Sequence, residues 1–183
     1  MTGSAAVPMV LLLAPPLLAA LLAPAGAARP RLASGLHALL ALTPVVAAVW
    51  LAALVVGGAV PTWGPGELFR VDALSALLAA CVAGVSALAG ILGPGVCRFR
   101  LFASLFAFTM LVAVTTDNVA VTGVAIEATT ITSAGLVPLH RSRPSIEASW
   151  KYILIGPVRI PLALGGTVLA YFDLVPLAGG SEA

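Results

Sequence analysis

The chain has 183 residues, of which 61% are hydrophobic and 9% are charged, and its net charge is +2 at neutral pH. A soluble domain carries roughly 25% charged residues, so this composition excludes a soluble globular protein. The small charge, spread along the chain in pairs, excludes a nucleic-acid-binding surface. Cys81 and Cys97 have no partners at metal-ligand spacing, which excludes a zinc site or a disulfide framework. The composition predicts an all-α integral membrane protein.

Six apolar stretches are long enough, or nearly so, to cross a bilayer, which takes about 20 residues. In chain order they are residues 5–27, 36–60, 71–92, 99–115, 119–139 and 148–172. The connections between them are short and contain proline and glycine, as in the segments 61–67 and 93–95. With no linker that separates domains, the sequence predicts a single transmembrane domain of residues 1–183 with about six helices.

The first stretch has a second interpretation, because its leucine-rich part is followed by the small residues 24–28, as in a cleaved signal peptide. A signal peptide begins with basic residues, and none precedes Leu11. The sequence therefore favours a retained helix, with cleavage as the alternative.

Arginine pairs indicate the orientation of the predicted helices. They follow the first, third and fifth stretches, as Arg29, Arg31, Arg98, Arg100, Arg141 and Arg143. Because basic residues are enriched in cytoplasmic loops, both termini are expected on the non-cytoplasmic side. An even number of helices agrees with that arrangement. The expected location is the inner (plasma) membrane of the cell, which the chain crosses several times.

Glu127 lies near the middle of the fifth stretch, in VAVTGVAIEATTITSAGLV. A charged group at the centre of a membrane helix costs roughly 2.5–3.5 kcal/mol on insertion scales, and such residues often carry protons or ions. Thr130 follows one helical turn later, so hydroxyls line part of the face that carries Glu127. The pattern favours a protonatable carboxylate in a polar pathway, with a structural glutamate that ties helices together as the alternative.

Two basic residues fall in the sixth stretch. Lys151 lies close to the start of the predicted helix, where it is either a pathway residue or a side chain that reaches back to the membrane surface. Trp150 and Tyr152 beside it are typical of the interfacial aromatic belt. Arg159 lies between two prolines that kink the helix, and the pattern assigns it no role.

The remaining polar residues at the ends of the stretches have simpler interpretations. Asp72 opens the third stretch, where a carboxylate favours the N-terminal end of a helix, so it is expected to cap that helix. His37 and His140 are expected at helix ends near the membrane surface, and neither is assigned a role. No P-loop, dinucleotide-binding glycine pattern or iron–sulfur cysteine spacing is present, so no cofactor is expected.

The residues from 69 onwards resemble a known family. Residues 101–156 are similar to the proton-translocating membrane subunits of the hydrogenase-4 component F type, over LFASLFAFTMLVAVTTDNVAVTGVAIEATTITSAGLVPLHRSRPSIEASWKYILIG. These subunits resemble in turn the antiporter-like subunits of respiratory complex I, the proton-translocating NADH:quinone oxidoreductase, and the large subunits of multisubunit sodium/proton antiporters. Residues 69–85, FRVDALSALLAACVAGV, resemble the opening of the third helix of the family. The resemblance is strongest over residues 69–171.

The resemblance implies roles for particular residues. In the family, the glutamate of the fifth helix modulates a lysine, and together they move protons across half of the membrane. Glu127 matches that glutamate and Lys151 matches the lysine of the sixth helix, so the expected proton pathway contains Glu127, Lys151 and Thr130. No catalytic residue, metal or cofactor is expected in the chain itself. The expected partners are the bilayer and other membrane and peripheral subunits of a redox or antiporter complex.

The chain also departs from the family pattern. The lysine of the seventh helix and the later lysines are missing, and Pro157, Arg159 and Pro161 interrupt a stretch that the family keeps apolar. The resulting expectation is a truncated or split, non-catalytic, proton-translocating subunit of a hydrogenase-4 or complex I-like redox complex. The alternatives are a subunit of a cation/proton antiporter or ion-coupled transporter, and a non-functional remnant.

Overall fold

The computed structural model describes residues 3–24, 30–139, 142–158, 162–163, 165–170 and 172–173. Most of these residues are helical. The principal helices are α1 (Gly3–Leu22), α2 (Pro30–Val56), α3 (Ala73–Leu92), α4 (Cys97–Thr115), α5 (Val119–Leu136) and α6 (Arg143–Ile155). Short 3₁₀ turns at Val137–Leu139 and Gly156–Val158 extend α5 and α6, and a hairpin of two short strands joins α2 to α3.

Among the residues that the structure describes, four helices are long and apolar enough to cross a membrane. They cover Leu32–Val56, Ala73–Leu92, Cys97–Thr115 and Val119–Leu136, and α1 contains a shorter apolar segment, Ala6–Leu22. Their outer faces carry exposed aliphatic side chains such as Val85, Leu88 and Val124, which suits contact with lipid. The architecture expected from the sequence, an all-α protein that crosses the membrane several times, is confirmed at this level.

The sixth predicted span differs most from the structure. It was expected over residues 148–172, whereas α6 begins at Arg143, five residues earlier, and has 13 residues. Residues 159–161, 164 and 171 of that span, Arg159 among them, lie outside the described part of the chain. The count of six spanning helices therefore stays a prediction.

Helices α1 to α4 form a four-helix bundle, in which α1 and α3 each pack against both α2 and α4. The bundle core contains Met9, Leu51 and Leu111, which are fully buried, together with alanines of α3 such as Ala79 and Ala83. Small residues let membrane helices approach closely. Outside the bundle, α5 packs against α4 and α6 packs against α5.

The side chain of Asp72 caps α3, as the sequence predicts. Its Oδ1 accepts a hydrogen bond from the backbone N–H of Ser75 at 2.7 Å. Bonds from the backbone and then the side chain of Ser75 hold the pKa of the Asp72 carboxyl below its usual value. At the start of α5, Asn118 plays the same part, and its side chain accepts from the N–H groups of Ala120 and Val121.

One end of the molecule is closed by the connections α2–α3 and α4–α5. The antiparallel strands β1 (Thr62–Trp63) and β2 (Phe69–Arg70) form the hairpin. Phe69 also bridges to Thr116, and the backbone carbonyl of Leu68 accepts from the N–H of Asp117 at 3.0 Å. These bonds join the two connections into one layer, which we call the loop clasp.

The opposite end holds the ends of α1, α4 and α5. The thiol of Cys97 donates to the carbonyl of Ala23 at 3.3 Å, and Nη1 of Arg98 donates to the carbonyl of Pro138 at 3.3 Å. The helices therefore alternate in direction. This places Arg98 at the end of the molecule where α1 and α5 end.

The structure corrects the expected position of His37. It lies about two turns inside α2, counted from Pro30 at about 3.6 residues per turn, and its residue surface is 6% exposed. The sequence pattern misplaced it because α2 begins six residues before the apolar stretch does. His37 is thus buried in the bundle and does not lie at a helix end. His140 lies outside the described residues.

Candidate functional site

The carboxyl group of Glu127 lies in the middle of α5. Glu127 as a whole residue is half-buried. Its Oε2 atom is fully buried and has no hydrogen-bond partner among the described residues. A buried carboxylate oxygen that makes no hydrogen bond is costly when the group is ionised. The Oε2 atom of Glu127 is therefore placed to accept a hydrogen bond from water or from another part of the assembly.

The hydroxyls around Glu127 are mostly bonded to the helix that carries them. Thr130, one turn from Glu127, is 5% exposed, and its Oγ1 donates to the carbonyl of Ile126 at 3.2 Å. The hydroxyl oxygens of Thr129 on α5 and Thr109 on α4 lie 3.1 Å apart, within hydrogen-bond distance. A polar strip thus runs along α5 and reaches α4 through Thr129.

Close packing of α4 against α5 depends on one glycine. A Cβ atom placed on Gly135 would collide with the ring of Phe102. By contrast, Gly123 on the same helix has open space around the position of a Cβ atom. The aromatic ring therefore fixes α5 against the bundle eight residues, or about 12 Å at about 1.5 Å per residue, from Glu127.

Three contacts fix the position of α6 along α5. Oγ of Ser145 donates to the carbonyl of Val137 and Oγ of Ser149 to that of Ala134, each at 2.9 Å. Farther along, Oγ of Ser133 lies 3.3 Å from the hydroxyl oxygen of Tyr152. The helices run antiparallel, so residues at the start of α6 lie beside the end of α5.

Lys151 does not pair directly with Glu127. Its Nζ lies 2.6 Å from Oε1 of Glu147, one turn earlier on α6, and both side chains are about two-thirds exposed. Tyr152, next to Lys151, is level with Ser133. Glu127 lies six residues before Ser133 on α5, which is about 9 Å at about 1.5 Å per residue. A relation between the two groups through water stays a prediction.

The described residues offer no metal site, since no group of three His, Cys, Asp or Glu side chains is placed to hold an ion within them. What the arrangement supplies instead is a single carboxyl that can gain or lose a proton, with neutral hydroxyls along the same helix. The site residues that the sequence analysis did not identify are Thr109 and Tyr152. For Thr109 the available signal was a hydroxyl in the otherwise apolar run of residues 105–114, LFAFTMLVAV.

No family model matches the chain. A curated relative, the hydrogenase-4 component F homolog of Methylacidiphilum infernorum (isolate V4), is 38% identical to this chain over 92 residues. The match covers 49% of this chain, and the chain spans 19% of the length of that relative. The family resemblance expected from the sequence is thereby confirmed: over about half of its length, this chain is similar to a hydrogenase-4 component F homolog.

Proposed function

We propose that the chain is a non-catalytic membrane subunit of a hydrogenase-4 or complex I-like redox complex, located in the inner membrane, and that it takes part in proton translocation. The observation that carries the proposal is the Oε2 atom of Glu127, which is buried and has no hydrogen-bond partner among the described residues. Glu127 lies in a helix, Val119–Leu136, that is long and apolar enough to cross a membrane. The named relative supports a role beside other subunits of such a complex.

In this proposal Glu127 is the group that carries the proton. Its carboxyl group exchanges the proton with water, or with a donor that a neighbouring subunit brings to the buried Oε2 atom. Thr130 keeps the surroundings polar, and Lys151 exchanges protons with Glu127 through water.

The test replaces Glu127 by Gln in the intact complex, which keeps the shape of the side chain and removes its charge and its exchangeable acid proton. Electron transfer is expected to continue at a substantial fraction of its rate, while protons pumped per electron fall. Both are measured in membrane vesicles. Glu67→Gln is the matched control, because Glu67 lies in an exposed turn beside the hairpin and its loss should leave the ratio unchanged.

An unchanged ratio of protons to electrons in Glu127→Gln, with normal assembly, would overturn the proposal. It would return Glu127 to a purely structural role. Glu127→Ala is a weaker experiment, because it also opens a cavity and destabilises packing by a few (~2–5) kcal/mol.

A further inference from the structure

A small cavity lies inside the bundle of α1 to α4, away from Glu127. Its volume of about 20 Å³ is enough for one water molecule, which needs about 10–15 Å³ by the same measure. Its walls are largely apolar, but three polar side chains from three helices reach it, and they are His37 of α2, Ser86 of α3 and Ser104 of α4. His37 and Ser104 are more than nine-tenths buried.

These side chains have unused hydrogen-bonding capacity. Across the residues that the structure describes, the hydroxyls of Ser86 and Ser104 and the imidazole of His37 form no hydrogen bond with the protein. Buried polar groups are nearly always bonded, to protein or to ordered water. His37 and Ser104 are such buried groups, and they meet the half-buried Ser86 at one cavity, so water is the partner that fits.

A proline supplies a fourth polar group. Pro44 lies inside α2 and lines the cavity together with Leu40. Because proline has no N–H, it cannot donate the helical hydrogen bond to the carbonyl four residues earlier, which is that of Leu40. In membrane helices, carbonyls freed in this way are satisfied by neighbouring side chains or ordered water.

We propose that this cavity binds one structural water molecule, held by His37, Ser86 and Ser104 and by the freed carbonyl of Leu40. An ordered water makes about 3 hydrogen bonds, so four candidate groups suffice. The water site joins α2, α3 and α4 at the arginine-bearing end of the bundle. It is separate from the strip of hydroxyls on α5, because Ser104 faces the cavity whereas Thr109 faces α5 from another side of α4.

The test uses the full chain in lipid bilayers with ¹⁵N-labelled histidine. The sequence contains two histidines, so His140→Gln leaves His37 as the sole source of the imidazole signal. Solid-state NMR then measures the transfer of magnetisation from water protons to the His37 ring. We expect transfer in this background and its nearly complete loss in Ala107→Val, which fills the cavity, but not in Ala113→Val, which adds the same volume to α4 away from the cavity.

Ser104→Ala provides a second test that adds no volume. If water occupies the site, this change removes one of its partners, and both the transfer and the unfolding temperature fall. If the cavity is dry, the change removes a buried hydroxyl without a partner, so the unfolding temperature stays the same or rises. That result, or absence of transfer in the folded protein, or equal transfer in the Ala107→Val and Ala113→Val variants, would overturn the proposal.

Discussion

Three carboxyl groups in this chain differ in what surrounds them. Asp72 accepts hydrogen bonds from Ser75 at the start of α3, and Glu147 forms an exposed ion pair with Lys151. Glu127 has an oxygen that is buried without a partner among the described residues. The first two are satisfied where they lie, and for this reason the proton-carrying role proposed above is assigned to Glu127 and not to Asp72 or Glu147.

Removal of the Asp72 cap should destabilise α3. Asp72→Ala is expected to lower the free energy of unfolding by about 1 kcal/mol, the usual effect of losing an N-cap side chain, whereas Asp72→Asn, which retains an acceptor, should lose much less. Thermal unfolding of the detergent-solubilised chain measures both. Equal loss in the two variants would show that charge, and not the cap, is what matters.

The same residue predicts a dependence on pH. Because the pKa of Asp72 is lower in the folded chain than its usual value, its contribution to stability is fully present above the unfolded-state pKa. It is lost as the pH falls through the lower, folded-state pKa. The wild type should therefore lose stability on acidification that Asp72→Asn does not lose. Any advantage of the wild type over Asp72→Asn in unfolding temperature should become smaller as the pH falls. A difference that stays constant from neutral to acidic pH would contradict this linkage.

Lys151 can be tested by a substitution that separates its two interpretations. Arginine can anchor a helix at the membrane surface as well as lysine, but it does not release a proton in proteins. If Lys151 carries protons, Lys151→Arg should lower proton pumping per electron as strongly as Lys151→Met. If Lys151 only anchors α6, the arginine variant should behave like the wild type in vesicle assays.

At the level of helices, the contact of α4 with α5 depends on the absence of a side chain at Gly135. Gly135→Ala is expected to destabilise the chain by about 1–3 kcal/mol, the usual cost of overpacking, because its Cβ meets the ring of Phe102. Gly123→Ala should be neutral or slightly stabilising, since its surroundings are open and alanine favours helices. Unfolding in a series of denaturing detergent mixtures compares the two.

A double substitution identifies the cause of that loss. With Phe102→Ala in place, Gly135→Ala should cost much less than it does in the wild type, because the collision is gone and the two changes are coupled. Additive losses would place the effect of Gly135 elsewhere, for example in a change to α5 itself.

At the level of the whole molecule, the arrangement in the membrane is open to a direct test. Reporter fusions after Arg143 and after Asp173 should report opposite sides of the membrane, with Arg143 on the cytoplasmic side. The reason is the alternation of helix direction together with the arginine pattern. Reports from the same side would remove the sixth span and leave the C-terminal part of the chain on the side of Arg143.

The sequence predicted most of the architecture because long apolar runs and capping residues act locally. The bounds of α3, α4 and α5 follow the apolar runs closely, and Asp72 caps as expected. It did not predict the start of α6, where a polar first turn precedes the apolar residues, or the burial of His37. Both depend on which helix faces another, and hydropathy along a single chain contains little of that information.

The loop clasp and the bond from Arg98 have a mechanical consequence for α5. Its first turn follows Asp117, which is tied to Leu68 at one end, and its last turn leads into Pro138, which accepts from Arg98 at the other. With both ends tethered to the bundle, a sliding movement of α5 along its axis would break contacts at each end at once. If Glu127 carries protons as proposed, their transfer is expected to proceed by rotation of side chains and reordering of water around a stationary helix.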